Sequence, residues 1–297
     1  MDQLETRTLG NTGMTPRALG LGCAFFGGAK SSDEEAVEGV RRAIELGLSY
    51  VDTSPLYGES ERRVGLALRD GWREKIYLQT KTGTHPERKG DYSAEATRWS
   101  VENSLRLLGT DYLDSVLIHD PPDIEIPLYP GYALDELLAM KESGIIGCVG
   151  LGVRQHEFHR RAIDTGHIDI VLSYLDYTLL DQSLAATTLP LARKRGVGII
   201  LASVLGMGRL AGPEPNRESE SRAHAMWEFC RRSGVEIRHL AMQFCLAAPI
   251  DGIVMAGPCN RQQVEEAYEA ATAQVDPEIW ADFRAEFDIR AWSEPER

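Results

Sequence analysis

The chain has 297 residues, of which 43% are hydrophobic and 26% are charged, and its formal net charge is −13 at pH 7. A protein this acidic is a poor partner for nucleic acid or for an anionic membrane surface. No apolar targeting segment opens the sequence, and the longest apolar run, 197–205, is too short to cross a bilayer, so we expect a globular protein of the cytoplasm.

The segment 6–17 is predicted as a small hairpin, and strand-like and helix-like runs alternate after it. Most of the strand-like runs are nearly continuous in apolar residues, which is typical of parallel strands buried on both faces. The eight predicted strands cover residues 18–23, 49–53, 75–81, 113–119, 148–153, 169–174, 196–203 and 252–257. The predicted helices cover residues 33–46, 59–69, 93–108, 133–143, 155–165, 183–195, 219–233, 236–247, 261–272 and 277–287.

Eight strand–helix repeats predict a closed (β/α)8 TIM barrel, whose usual length of about 250 residues fits a single domain over residues 1–297. The alternative is an open doubly wound sheet, which should carry Gly-x-Gly-x-x-Gly after its first strand. Here that position reads Gly20-Leu21-Gly22-Cys23-Ala24-Phe25, which lacks the last glycine. The long loop between strands 7 and 8 is rich in Gly and Pro over 206–215, and it is either functional or a surface insertion.

Five cysteines are scattered along the chain and form no Cys-x-x-Cys pair. Their odd number and spacing predict neither a disulfide framework nor a zinc site, so no metal is expected and a reducing compartment is the simplest setting. Cys23, Cys148 and Cys259 lie in or beside strand-like runs, where a free cysteine usually acts as a small buried hydrophobe.

The candidate catalytic groups stand where predicted strands end. Strand 2 contributes Asp52 near its end, with Tyr57 in the loop after it, strand 3 ends at Lys81, and strand 4 ends at His119. In a barrel these positions share one rim, which is where the active site forms. Each residue has a simpler explanation, such as a cap, a turn residue or a solvated side chain, but four such coincidences on neighbouring strands are improbable.

These residues and the stretches around them resemble the aldo-keto reductases over nearly the whole chain. The matching stretches are residues 9–13, 52–58, 81–83, 104–114 and 119–120, and residues 169–177 and 196–208 are most similar to the sugar 1-dehydrogenases, the branch that includes plant L-galactose dehydrogenase. The resemblance implies an NAD(P)-dependent enzyme that oxidises an aldose at C1 to its lactone. Two alternatives stay open: a general NADPH-dependent aldehyde or ketone reductase, and a nucleotide-binding regulatory barrel without turnover.

The resemblance also assigns roles to the four rim residues. Tyr57 would be the general acid-base, Lys81 would lower its pKa, Asp52 would hold Lys81, and His119 would bind the reacting oxygen. For the substrate the implied contacts are Phe25, Tyr57, His119 and Trp292, with Phe26 and the loop 121–132 shaping the pocket.

For the cofactor, the resemblance implies contacts from Cys23, Asp52, Tyr174, Ser203, Leu205, Gly206, Gly208, Gly257, Cys259, Arg261, Gln263 and Glu266. The chain departs from the family pattern at Arg154, Gln155, Tyr174 and Ala202, so the carboxamide and stacking contacts are not carried over. Where NADP-using members carry cations, this chain has Cys259 and Gln263, and Arg261 is the only cation nearby. We therefore expect NAD to be preferred over NADP. The sequence does not indicate the oligomeric state.

Overall fold

The structure is a computed structural model that describes residues 4–29 and 31–289. Its eight strands are all parallel and close into a barrel in sequence order, which confirms the predicted (β/α)8 architecture and excludes the open sheet. The strands are β1 Leu19–Gly22, β2 Tyr50–Asp52, β3 Tyr77–Thr82, β4 Leu113–His119, β5 Ile146–Gly152, β6 Ile170–Tyr174, β7 Gly198–Ala202 and β8 Gly252–Ala256.

Eleven α-helices are found in the described residues. They are α1 Asp33–Glu45, α2 Ser60–Ala67, α3 Ala94–Leu108, α4 Glu125–Leu128, α5 Ala133–Glu142, α6 His156–Ile163, α7 Ser183–Arg195, α8 Ser221–Arg232, α9 Ile237–Leu246, α10 Arg261–Thr272 and α11 Pro277–Phe287. Short 3-10 turns cover Ala24–Gly27, Arg73–Lys75, Pro86–Arg88 and Gly206–Gly208. In the described part of the chain, every helix is too short or too polar to span a membrane.

The start of α1 shows how local chemistry sets a helix boundary. Ser32 accepts a hydrogen bond from the backbone N–H of Glu35, whose side chain accepts one from the Ser32 N–H, so the two residues form a capping box. Helix α7 ends at Gly196, which adopts the left-handed conformation with a φ of +70°. Because Gly196 closes a helix, β7 begins at Gly198 and not at residue 196 as predicted.

The sequence prediction differs from the structure at other boundaries. Strand β3 begins at Tyr77, because a 3-10 turn occupies residues 73–75, and β5 begins two residues early, at Ile146. The loop 121–132 contains the four-residue helix α4, which is too short to show a helical period in the sequence.

A second, smaller apolar cluster fills the inside of the barrel, apart from the larger core between the strands and the surrounding helices. The predicted N-terminal hairpin is present and contributes Leu9 and Met14 to this inner cluster. Its backbone also joins the barrel, because the N–H of Gly10 donates to the Asp251 carbonyl at 3.1 Å and that of Asn11 donates to the Gly196 carbonyl at 2.8 Å. The hairpin therefore closes the end of the barrel opposite the carboxyl ends of the strands.

Candidate active site

Strands β2 and β3 place an acid and an amine side by side at the open end of the barrel. The Lys81 Nζ donates to both carboxylate oxygens of Asp52, at 2.6 and 2.7 Å, and to the Thr53 carbonyl at 2.8 Å. Lys81 is fully buried and Asp52 is 4% exposed. Burial lowers the pKa of Lys81, but the charge of Asp52 and the contact with Tyr57 outweigh it, so the pKa lies above its ordinary value and the amine stays charged.

The half-buried phenol of Tyr57 lies next to this pair. The Lys81 Nζ is 4.7 Å from the centroid of the Tyr57 ring. Burial raises the pKa of Tyr57, whereas the Lys81 ammonium acts in the opposite direction. The effect of Lys81 thus has the predicted sign, but burial outweighs it. Tyr57 is a protonated phenol at neutral pH, with a cation beside it to stabilise the phenolate when a proton leaves.

His119 completes the group from the end of β4. Its ring centroid is 6.1 Å from that of Tyr57, and the planes are almost perpendicular. Burial, reinforced by the Lys81 charge, lowers the pKa of His119 to about 3, so the imidazole is neutral. The Thr84 hydroxyl is hydrogen-bonded to His119 Nδ1 at 2.9 Å, and the Tyr92 hydroxyl donates to the His119 carbonyl at 2.7 Å. These contacts fix the ring and leave Nε2 facing the Asp120 carboxylate, 3.5 Å away.

A buried polar network lies directly below Asp52. The Gln79 side-chain amide donates to Asp52 Oδ1 at 2.7 Å, and its carbonyl oxygen accepts from the hydroxyls of Tyr50 at 2.8 Å and Ser115 at 3.1 Å. The sequence analysis did not single out these residues. Their signal is the two-residue alternation of a strand, because Tyr50 precedes Asp52 by two positions and Gln79 precedes Lys81 by two, so each pair points into the barrel. Thr84 had no comparable signal.

The loop after β7 has an unusual backbone. Ser203, Gly206, Met207 and Gly208 all have positive φ, between +54° and +96°. Repeated left-handed residues turn backbone N–H groups toward one side and create concave anion sites. Within residues 4–29 and 31–289, the N–H groups of Val204 and Leu205 form no hydrogen bond, and a Cβ added at Gly208 would meet no atom within 4 Å. The predicted phosphate-binding loop thus offers free donors and open space.

The turn after β8 holds the residues predicted to face the adenosine end of a cofactor. Cys259 is half-exposed, so the expectation that it is a buried hydrophobe is wrong. Its backbone N–H donates to the Gln263 side-chain oxygen at 3.0 Å. Arg261 is bound by two carboxylates, Glu38 of α1 at 2.7 Å and Glu265 at 3.3 Å. The one cation expected here is therefore already paired.

The remaining cofactor candidates lie at the same end of the barrel. Cys23 is buried and its N–H donates to the Asp52 carbonyl at 2.8 Å. Gly257 is exposed directly after β8, and Phe25 lies beside it, within 3.5 Å of where a Gly257 Cβ would stand. Glu266 is half-buried and lies 3.6 Å from Arg238.

The predicted pocket residues behave differently from one another. Phe25 is 51% exposed at the rim, in keeping with a substrate contact. Phe26 is fully buried against Gly39 of α1, so the expectation that it shapes the pocket is wrong. Trp292 lies outside the described residues.

A carboxylate lies at the mouth of the candidate site. At the end of β6, the Tyr174 hydroxyl donates to Asp120 Oδ1 at 3.2 Å. In the described chain, no group of three His, Cys, Asp or Glu side chains is arranged to hold a metal ion.

Comparisons with known proteins agree with this geometry. The aldo/keto reductase family model matches residues 18–286. The chain is 33% identical to L-galactose dehydrogenase of Arabidopsis thaliana over 287 residues, which cover 92% of this chain and 89% of that protein. It is 28% identical to D-threo-aldose 1-dehydrogenase of a Pseudomonas species, with 91% and 94% covered. A solved Pseudomonas aeruginosa structure, assigned to the aldo-keto reductases, has a TM-score of 0.72 at 27% identity and covers 90% of this chain and 93% of its own.

Proposed function

The chain belongs to the aldo/keto reductase family, oxidoreductases that use a nicotinamide cofactor, and from that premise we propose that it is an NAD-preferring aldose 1-dehydrogenase. It would oxidise a sugar at C1 to the lactone, in the cytoplasm, where its five free cysteines stay reduced. The observation that carries the proposal is the buried Lys81, held between the Asp52 carboxylate and the Tyr57 ring. Two relatives named for sugar oxidation support the substrate class.

The residues present fit a nicotinamide dinucleotide. Its pyrophosphate needs backbone N–H donors that it can approach closely, and the loop Ser203–Gly208 supplies them, with glycines where a side chain would intrude. When bound, the nicotinamide supplies the hydride acceptor. Tyr174 and Ala202, at the ends of β6 and β7, stand where other family members carry the residues that contact the ring.

The chain's own groups would move the proton and orient the sugar. In the oxidation direction Tyr57 acts as the phenolate, which the Lys81 ammonium stabilises, and it takes the proton from the C1 hydroxyl to become a neutral phenol. Asp52 keeps Lys81 in place through two short hydrogen bonds. His119 is neutral, and in the tautomer whose Nδ1 accepts the Thr84 hydroxyl its Nε2–H can donate to the reacting oxygen without adding a charge.

The preference for NAD is supported by the turn after β8. A 2′-phosphate is doubly charged or nearly so, and its binding normally needs an arginine or lysine. Here Gln263 and Cys259 are neutral, and the guanidinium of Arg261 is bound by Glu38 and Glu265. A phosphate bound at Arg261 would lie beside both of these carboxylates, which would repel it. The ribose 2′-hydroxyl of NAD carries no such charge.

The test is to incubate the purified protein with NAD or NADP and a panel of aldoses. Formation of reduced cofactor together with lactone is the expected result. Consumption of NADPH with simple aldehydes, without oxidation of any aldose, would replace the proposal by a general carbonyl reductase. Cofactor binding without turnover on either class of substrate would indicate a regulatory barrel instead.

A further inference from the structure

Asp120 follows His119 directly, and the mechanism above gives it no role. Its backbone is fixed to the barrel, because its N–H donates to the Gly152 carbonyl at 3.0 Å. Its φ is +40°, in the left-handed region that residues with a side chain seldom occupy and in which Asp is enriched. Sparsely occupied backbone conformations gather at functional sites, where the neighbouring structure enforces them.

The carboxylate of Asp120 lies over the reaction centre. One oxygen accepts the Tyr174 hydroxyl at 3.2 Å, and the other is 3.5 Å from His119 Nε2. In the part of the chain described, the neutral imidazole of His119 is the only basic side chain in contact with the Asp120 carboxylate, so no cation touches the acid. With 39% of its side chain exposed, Asp120 retains unused acceptor positions at the mouth of the site.

A carboxylate in this place has consequences for the substrate. An ionised carboxylate accepts up to four hydrogen bonds and loses water when a substrate fills the mouth. A substrate with an apolar chain would leave that charge without donors, whereas a polyhydroxylated one replaces the lost water with its own hydroxyl groups. A site built to bind a substrate hydroxyl discriminates strongly against analogues that lack it.

We propose that Asp120 is a substrate-binding residue that selects polyhydroxylated substrates, by accepting hydrogen bonds from hydroxyls on carbons next to the one that reacts. This inference rests on the proposed reaction at Tyr57, and it identifies the neighbouring hydroxyl groups as the part of the substrate that the site recognises. The competing role is that Asp120 only orients His119. That role would affect every substrate alike, because His119 contacts the reacting oxygen in all of them.

The experiment compares D-glyceraldehyde with propanal in the reduction direction, with NADH and NADPH in parallel, so that it does not depend on finding the right aldose. The variant is Asp120→Asn, because asparagine tolerates the left-handed backbone and differs mainly in charge. The matched control is Asp70→Asn. Asp70 also has a positive φ, +61°, but lies in the turn between α2 and β3, at the closed end of the barrel.

In the wild type and in Asp70→Asn we expect kcat/KM to favour D-glyceraldehyde. In Asp120→Asn that advantage should fall by about 10- to 100-fold, the size of a charge-assisted hydrogen bond, while propanal changes little. Equal losses on both substrates, or no loss on either, overturn the inference and leave the proposed function standing. If the wild type reduces neither aldehyde and oxidises no aldose, the proposed function fails, and the inference fails with it.

Discussion

Both carboxylate oxygens of Asp52 accept hydrogen bonds from the single ammonium group of Lys81, at 2.6 and 2.7 Å, in a site that excludes water from the lysine. A buried charge without a partner is costly, so the two groups depend on each other. The pair also fixes the ammonium beside the ring of Tyr57, 4.7 Å from its centroid. The chemistry of the proposed reaction depends on this arrangement.

Replacement of Tyr57 by phenylalanine tests the acid-base role. The ring and its packing are kept, and only the hydroxyl that we propose exchanges the proton is lost, so turnover should fall by roughly 100-fold or more. Cofactor affinity, measured by fluorescence titration, should be nearly unchanged. A Tyr57→Phe protein with the wild-type rate would show that another residue moves the proton.

The pH dependence of sugar oxidation tests the role of Lys81. Burial raises the pKa of Tyr57 and Lys81 lowers it, so activity should rise with pH as the phenol ionises. In Lys81→Met the cation is gone, and the rising limb of kcat/KM should move to higher pH. A limb that does not move would mean that Lys81 does not tune Tyr57.

That variant needs a folding control, because it leaves Asp52 buried without its cation. The double variant Asp52→Asn/Lys81→Met removes both charges and should recover stability that the single variant loses. Its pH limb should still lie above that of the wild type, since the cation is absent, but below that of Lys81→Met, since the Asp52 charge that raises the Tyr57 pKa is also gone. Circular dichroism and urea unfolding report on folding in both proteins.

Cofactor preference can be tested at Arg261 and at Gln263. Glu38→Gln removes one of the two carboxylates that bind the arginine, and we expect kcat/KM with NADP to rise relative to NAD. The matched control for Glu38→Gln is Glu45→Gln on the same helix, which removes a carboxylate that pairs with Arg42 at 3.3 Å.

A second variant, Gln263→Arg, adds a cation at the predicted phosphate position. It should strengthen the binding of NADP by at most about 1.5–3 kcal/mol, the size of one charge-assisted hydrogen bond. A wild type that prefers NADP contradicts the prediction and points to Arg261 as the phosphate ligand.

Stability should fall in mild acid because of buried histidines. His159 is fully buried, and burial lowers its pKa to about 4, although its contact with the Val153 carbonyl acts in the opposite direction. The unfolded chain has the ordinary value near 6.5, so it binds the proton first as the pH falls. The contribution of His159 is therefore complete above about pH 6.5 and is lost as the pH falls toward 4.

The measurement is urea unfolding at pH 7.5 and at pH 5. His159→Gln should lose about 2 kcal/mol less between these pH values than the wild type, from the difference between the two pKa values. The exposed His167→Gln serves as the control and should follow the wild type. An identical acid loss in His159→Gln would mean that other groups, such as carboxylates, account for it.

The barrel could be predicted from the sequence because each buried strand is an apolar run with a helical stretch after it, as in 113–119 and 252–257. The rim residues were readable because Asp52, Lys81 and His119 are polar groups at the ends of such runs. The side chains that these groups contact could not be predicted from the sequence. Thr84 reaches His119 across 35 positions and Glu38 reaches Arg261 across 223, and such pairings arise only when the barrel closes.

The errors in the sequence prediction have local causes. Phe26 and Phe25 are neighbours of the same type, and only the 3-10 turn at Ala24–Gly27 directs one into the core and leaves the other at the rim. Cys259 follows an apolar strand, but the strand ends at Ala256, so the cysteine falls in the turn. In both cases the sequence placed the residue at the correct end of the barrel, but the backbone of one turn determined whether its side chain is buried.

The hairpin that carries Leu9 and Met14 has a practical consequence for protein engineering. Because it closes one end of the barrel and the reactive groups occupy the other, the two ends can be redesigned separately. We expect that changes around the hairpin can raise thermal tolerance and leave the groups at the opposite end in place. Because we expect the loop 121–132, which contains α4, to shape the pocket, its exchange should alter the substrate range while the groups on β2, β3 and β4 keep their positions.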